Sequence, residues 1–196
     1  MNRKTLGLGL VLLVLPIRPD PSDLPTFRRS DLQAQVPIRA RTMGDPRPGR
    51  EAPAFALPYA TAGGPGPAAF EIRAELGRVV VLAFCAGTAD RAAQALLGAF
   101  ASRGDSLVAG DVTVAAVLPA SADSLAALAA RMRLSYKLLA DTTEDIRRLF
   151  GVEKGSTAVY VVGLDGRIVW RELDFNPFLA RGYGDIEAAI ARGRRF

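Results

Sequence analysis

The chain has 196 residues, 49% of them hydrophobic, with a formal net charge of +5, one cysteine and no histidine. That length holds one ordinary domain and a tail. A lone cysteine excludes an intrachain disulfide, and the absence of histidine removes the commonest metal ligand and neutral-pH base, which argues against copper or zinc sites and against Ser-His or Cys-His hydrolases.

The charge is unevenly placed. Residues 1–50 hold nine Lys/Arg and four Asp/Glu, whereas residues 51–196 hold sixteen of each. The basic character therefore belongs to the tail and suits an anionic lipid or an acidic protein surface. Nucleic acid is not expected, because the arginines are scattered among prolines with Phe27 as the only aromatic of the tail.

In chain order, Arg3 and Lys4 precede an apolar run over residues 6–17, LGLGLVLLVLPI. This is the pattern of a secretory signal, but the following RPDPSDLP offers no small-x-small cleavage site. Residues 1–17 are read as an uncleaved membrane anchor whose apolar contacts come from Leu6, Leu8, Leu10, Leu12, Leu13 and Leu15. Twelve residues of helix rise about 18 Å, short of the ~30 Å hydrocarbon core, so such an anchor leans on its flanks or on partner helices. The positive N-terminus places the domain outside the cytoplasm, on the periplasmic or extracytoplasmic side. Residues 18–47 are linker in composition, rich in proline and without apolar periodicity. Their candidate partner contacts are Phe27, Arg28, Arg29, Arg39 and Arg41.

Residues 48–196 read as one α/β domain. An opening strand over residues 48–58 is followed by a Gly/Pro loop at 63–67 and a return over 70–76. Residues 79–84, VVVLAF, form an unbroken apolar run of strand length, as in a sheet covered on both faces. Residues 91–102 are helical, with Ala93, Leu96, Leu97 and Phe100 at helical spacing. A strand over 111–118 and a helix over 123–133 follow, the latter capped by Ser121 or Asp123. A short strand at 138–140 leads into Asp141-Thr142-Thr143-Glu144, read as a capping box for a helix through Phe150. Residues 158–162 form a further central strand, Leu164-Asp165-Gly166 a hairpin turn, 168–173 its return, and 185–192 a closing helix. This order predicts a mixed sheet with helices on both faces.

Four segments, GREAPAFALP, VVVLAF, LLADTTEDIRRLFGV and AVYVVGLDGRIVW, together resemble the thioredoxin-like superfamily, and within it the peroxiredoxin-like (alkyl hydroperoxide reductase/thiol-specific antioxidant) branch, over about residues 48–190. The resemblance implies redox thiols at the N-terminus of the helix after 79–84, where the helix end stabilises a thiolate. The thioredoxin thiol positions fall on Ala89 and Ala92, and the peroxiredoxin Pro, Thr and Cys fall on Ala86, Asp90 and Ala93. Both patterns thus lack their nucleophile, and Asp90 stands where its carboxylate caps the helix instead. Before residue 158, where the superfamily implies a cis-proline or an arginine, the chain has Thr157.

Cys85 is then the only thiol. It reads as a small buried hydrophobe, the alternative being a displaced redox thiol that would need exposure and a cationic neighbour such as Arg91. Tyr160, Trp170 and Phe175 read as packing, and residues 174–181, DFNPFLAR, as a loop available to a partner. Together these readings predict a chain that is not an enzyme: a membrane-tethered accessory subunit, without metal or cofactor, that stabilises or organises a membrane protein complex of the respiratory or photosynthetic electron-transfer kind. The alternative is a single-cysteine thiol-dependent oxidoreductase or peroxidase using Cys85.

Overall fold

The computed structural model describes residues 46–103 and 111–195. The anchor leucines and the tail residues Phe27, Arg28, Arg29, Arg39 and Arg41 lie outside this range. Among the described residues, no helix is long and apolar enough to cross a membrane.

Seven strands make one sheet: β1 (Ala56–Thr61), β2 (Gly64–Glu71), β3 (Val79–Phe84), β4 (Val112–Leu118), β5 (Lys137–Ala140), β6 (Ala158–Val162) and β7 (Ile168–Glu172), in the order β2-β1-β5-β4-β3-β6-β7. β3, β4 and β5 run parallel, and the remaining neighbours are antiparallel. Every residue of β3, β4 and β6 is buried, because these runs of Val, Ala and Leu have no polar alternation and need cover on both faces.

The helices are α1 (Arg91–Ser102), α2 (Ala122–Met132), α3 (Asp145–Leu149) and α4 (Ala180–Gly193). The crossovers β3–α1–β4 and β4–α2–β5 step in one direction across the sheet, so right-handed connections put α1 and α2 on the same face. α4 joins them there, through Tyr183, Ile186, Ala189 and Ile190. The other face is closed by Phe55, Ile72 of a 3-10 turn (Ile72–Glu75), and Ile146 and Phe150 at α3. At its centre the rings of Phe84, Phe150 and Tyr160 meet with centroids 5.1–5.8 Å apart.

Four details differ from the sequence reading. The opening strand is Ala56–Thr61 rather than residues 48–58, since residues 48–50 form a turn, Glu51 makes only an isolated bridge to Arg167, and Pro53 has no amide to give a ladder. Its return is Gly64–Glu71, with Ile72–Glu75 a 3-10 turn rather than strand. The Gly/Pro stretch at 63–67 is a tight turn running straight into β2. Proline is tolerated there because β2 is an edge strand. Gly66 is needed because the Tyr59 ring lies over it, 2.3 Å from where a Cβ would stand. At α3 there is no capping box: Glu144 takes a left-handed conformation (φ 58°) without capping. Asp141 reaches past it instead, accepting from the amides of Ile146 (3.3 Å) and Arg147 (2.9 Å). Finally, α4 begins five residues earlier than residue 185. Gly182 and Gly184 lower helix propensity, but the Phe175 ring packs over Gly182, 2.7 Å from a would-be Cβ, and Tyr183 packs edge-on to Phe100 and Phe175. Packing overrides propensity.

Candidate functional site

The pole of interest lies where β3 ends and α1 begins. Cys85 continues β3 by one residue, its amide donating to the Val117 carbonyl at 3.0 Å. By strand alternation its side chain faces the same way as Ala83 and Val81, into the core under α1 and α2. It is fully buried, and burial pushes its thiol up to about 12; Asp90 adds to this, and only the Arg147 charge opposes it. The phenol of Tyr136, which donates to the Leu97 carbonyl (2.8 Å), is likewise raised, chiefly by burial and secondarily by Cys85.

After Cys85 the chain turns through Gly87, Thr88 and Ala89 into α1. The Asp90 carboxylate accepts from the Ala93 amide at 2.7 Å and caps the helix. Ala89 is exposed, Ala92 half-buried and Ala93 fully buried. The Ala93 amide at the helix end is therefore engaged by a built-in carboxylate, whose charge also meets the positive end of the helix dipole. Replacing Asp90 by alanine should cost about 1 kcal/mol, the usual value of an N-cap, read as a shift in the urea midpoint. An unchanged midpoint would show that water replaces the cap.

The cation beside Cys85 is not Arg91. That side chain leaves the turn and stacks over the exposed Phe178 ring, 5.6 Å from its centroid. The cation is Arg147, whose side chain is 3% exposed. One terminal nitrogen donates to the carbonyls of Glu153 and Ser156, both at 2.9 Å, and the other donates to the Cys85 carbonyl. Its Nε lies 3.8 Å from Glu144. Burial lowers the Arg147 pKa, and the charge of Glu144 is the first influence holding it up. One guanidinium thus joins the end of β3, helix α3 and the loop that leads into β6. Asp141, which caps the amide of Arg147, has its carboxyl raised by burial despite those amides. Asp141→Ala should cost about 1–2 kcal/mol through lost capping, measurable by chemical unfolding.

Sequence reading missed Arg147. In the string DIRRLF two arginines sit side by side, and only the packed fold shows that Arg148 faces solvent while Arg147 faces in. Thr157 is buried, and its carbonyl accepts from the Phe175 amide at 2.8 Å, which docks the 174–179 loop against the site. Tyr160 is fully buried and donates to the Phe150 carbonyl (2.6 Å), Phe175 is buried, and Trp170 is half-buried against the core. A separate shallow depression of about 110 Å³ lies at the opposite pole, lined by residues including Arg73, Glu75, Leu76, Arg78 and Asp165. Among the described residues, no group of three or more His, Cys, Asp or Glu is placed to hold a metal ion.

Comparison with known proteins gives the family and the fold. The family model that matches, over residues 48–171, is that of the AhpC/TSA family. No curated protein matches the chain. Among solved structures, the peroxidoxin BcpB of Mycobacterium tuberculosis is 18% identical, with 76% of this chain and 99% of that one covered and a TM-score of 0.64. AhpC of Enterococcus faecalis is also 18% identical, covering 76% and 92%, at 0.64. A chain described as thiol:disulfide interchange protein DsbE, from Chlorobium tepidum, is 19% identical, covering 75% and 97%, at 0.62. These likenesses show the peroxiredoxin-type thioredoxin-like fold. They also correct the expectation that the chain is not an enzyme: the matching family and its structural neighbours are peroxiredoxins, which are enzymes.

Proposed function

The chain belongs to the AhpC/TSA family, and from that premise we propose that it serves as an accessory subunit tethered through its N-terminus, stabilising or organising a membrane protein complex on the extracytoplasmic face. The observation that carries this reading is what the family's reactive pole presents here. The helix end is capped by Asp90, and the surface beside it displays Phe178 and Leu179 rather than a thiol. An apolar pair held out on a folded domain suits contact with a partner, and the basic tail supplies a second point of attachment. The test is to solubilise native membranes in mild detergent and follow the chain on a native gel with mass-spectrometric identification. Migration at constant ratio with a large complex, lost when residues 1–45 are removed, is the expected result. Migration alone, at 20.8 kDa, would sink the reading.

One observation favours a second reading, thiol-dependent peroxidase chemistry through Cys85: the Arg147 charge favours the thiolate. In that reading the Cys85 thiolate attacks a peroxide oxygen, the O–O bond breaks, and the alcohol leaves with a proton. One external thiol attacks the sulfenic acid so formed and expels its oxygen as water, and a second attacks the mixed disulfide, returning the Cys85 thiol and leaving the two external thiols as a disulfide. Such turnover requires Cys85 to become exposed. Cys85→Ala should abolish peroxide consumption in the presence of excess thiol; consumption that survives the substitution rules this reading out.

A further inference from the structure

We infer that the depression at the pole opposite Cys85 is a binding site for a small amphipathic monocarboxylate, with an apolar body of about four carbons and its charge met by Arg78. The inference goes beyond the subunit reading and does not rest on it, because this site lies at the start of β3, away from the thiol pole.

Three observations carry it. The first is a preformed apolar floor. Ala52, Ile72, Val80 of β3 and Val162 of β6 all line the depression, and all four are buried. Leu76, 59% exposed, forms its lip; the Leu76 Cδ2 lies 2.8 Å from where a Cβ on Gly166 would stand, so this glycine lets the lip rest against the β6–β7 hairpin. The Gly77 amide donates to the Leu164 carbonyl and the Ala52 amide to the Gly166 carbonyl, both at 2.9 Å. The walls are thus tied together before anything binds, which lowers the ordering cost.

The second is size. The volume of about 110 Å³ is well below the ~300–1,000 Å³ of sites for drug-sized ligands. It is somewhat smaller than the ~150 Å³ of an apolar cavity that accepts benzene. A body of four or so carbons fits such a space, whereas a nucleotide or an aromatic cofactor does not.

The third is charge. Every carboxylate lining the depression already has a cation. Glu51 pairs with Arg73 at 3.3 Å, and Asp165 with Arg167 at 3.6 Å. Glu75 pairs with Lys137 at 3.2 Å and also accepts from the Thr113 hydroxyl at 2.6 Å. Arg78 lines the same depression and is exposed, and among the described residues it has no ion-pair partner. Three carboxylates against four cations leave a single positive charge beside an apolar floor. That charge suits a carboxylate, which a guanidinium meets with a two-pronged hydrogen bond. A phosphate monoester carries about −1.5 to −2 near neutral pH and would be left partly unneutralised.

The test titrates pentanoate into the full chain, with carbon-13 in its Ile, Leu and Val methyl groups, and follows the methyl signals by NMR. The expected result is a saturable shift of the Ile72, Leu76, Val80 and Val162 methyls. Pentanamide, the same body without the charge, should bind about fivefold or more weakly, and Arg78→Gln should weaken pentanoate by a similar factor. Arg181→Gln, at the other pole, should leave binding unchanged. N-acetyl-leucine separates the two sources of such a ligand: binding tighter than pentanoate assigns the carboxylate to the end of a peptide, and weaker binding assigns it to a free acid. Either order upholds the site. Pentanamide binding as well as pentanoate, or pentanoate binding unweakened by Arg78→Gln, shows an apolar dent without anion recognition and overturns the inference. The absence of any saturable shift at millimolar pentanoate overturns it too.

Discussion

Arg147→Ala is expected to lower stability by about 3–5 kcal/mol, the range for stripping one partner from a buried charged network. The carbonyls of Cys85 and Ser156 lose the guanidinium donor, the Glu153 carbonyl keeps only its bonds from Ser156, and Glu144 is left with Lys154 as its cation. A buried polar group left unpaired costs about 1–3 kcal/mol, and the side chain is too enclosed for water to fill every vacated place. The measurement is urea unfolding followed by circular dichroism, in which the midpoint should fall by a large part of its value with the slope unchanged. Arg147→Lys should recover part of the loss, since an ammonium keeps the charge without the planar fork that serves three acceptors. A loss below about 1 kcal/mol for the alanine variant would show that water rescues the carbonyls and that the guanidinium does not hold the pole together.

The second large effect is on Cys85. With the thiol pushed up from 9.0 to about 12, its thiolate fraction near pH 8 is about a thousandfold smaller than that of an unperturbed cysteine. Full burial blocks reagents as well. Labelling by an aromatic disulfide reagent should therefore be slower in the folded chain than in denaturant by about three orders of magnitude or more. Rapid labelling of the folded chain would mean that the strand end opens, which is what the peroxidase reading requires. The same residue sets an alkaline signature. The folded state keeps the proton to about 12 whereas the unfolded chain releases it near 9.0. Stability present below the unfolded value is thus lost as pH rises from about 9 towards 12, at up to about 1.4 kcal/mol per pH unit from this group. Cys85→Ala should flatten that slope, though not entirely, because Tyr136 is raised as well and contributes in the same sense.

How much of this was legible beforehand depends on whether a feature is local. The strands β3, β4 and β6 and the buried stripe of α1 declare themselves as apolar runs and helical spacing, because each follows from repeats of two or 3.6 residues within a few turns of chain. Asp90 was legible as a cap for the same reason, its carboxylate acting three residues away. The cap on α3 was misread because Asp141 acts five and six residues ahead, across a residue in the left-handed conformation. No local spacing rule covers that geometry.

By itself the sequence determined the class of fold, the emptiness of both thiol positions, and the presence of one cysteine as the only thiol. Composition and pattern suffice for those, since a residue that is absent is absent in every conformation. Only the tertiary structure decided which arginine stands beside Cys85. Arg91, six residues along, turns outward to Phe178, while Arg147, sixty-two residues away, is carried in by α3. It likewise decided that Phe178 and Leu179 stand exposed beside the start of α1, where Arg91 stacks on the Phe178 ring. Burial and charge proximity are sums over long-range contacts, and a one-dimensional pattern does not contain them until the sheet order has brought β7, α3 and the end of β3 together.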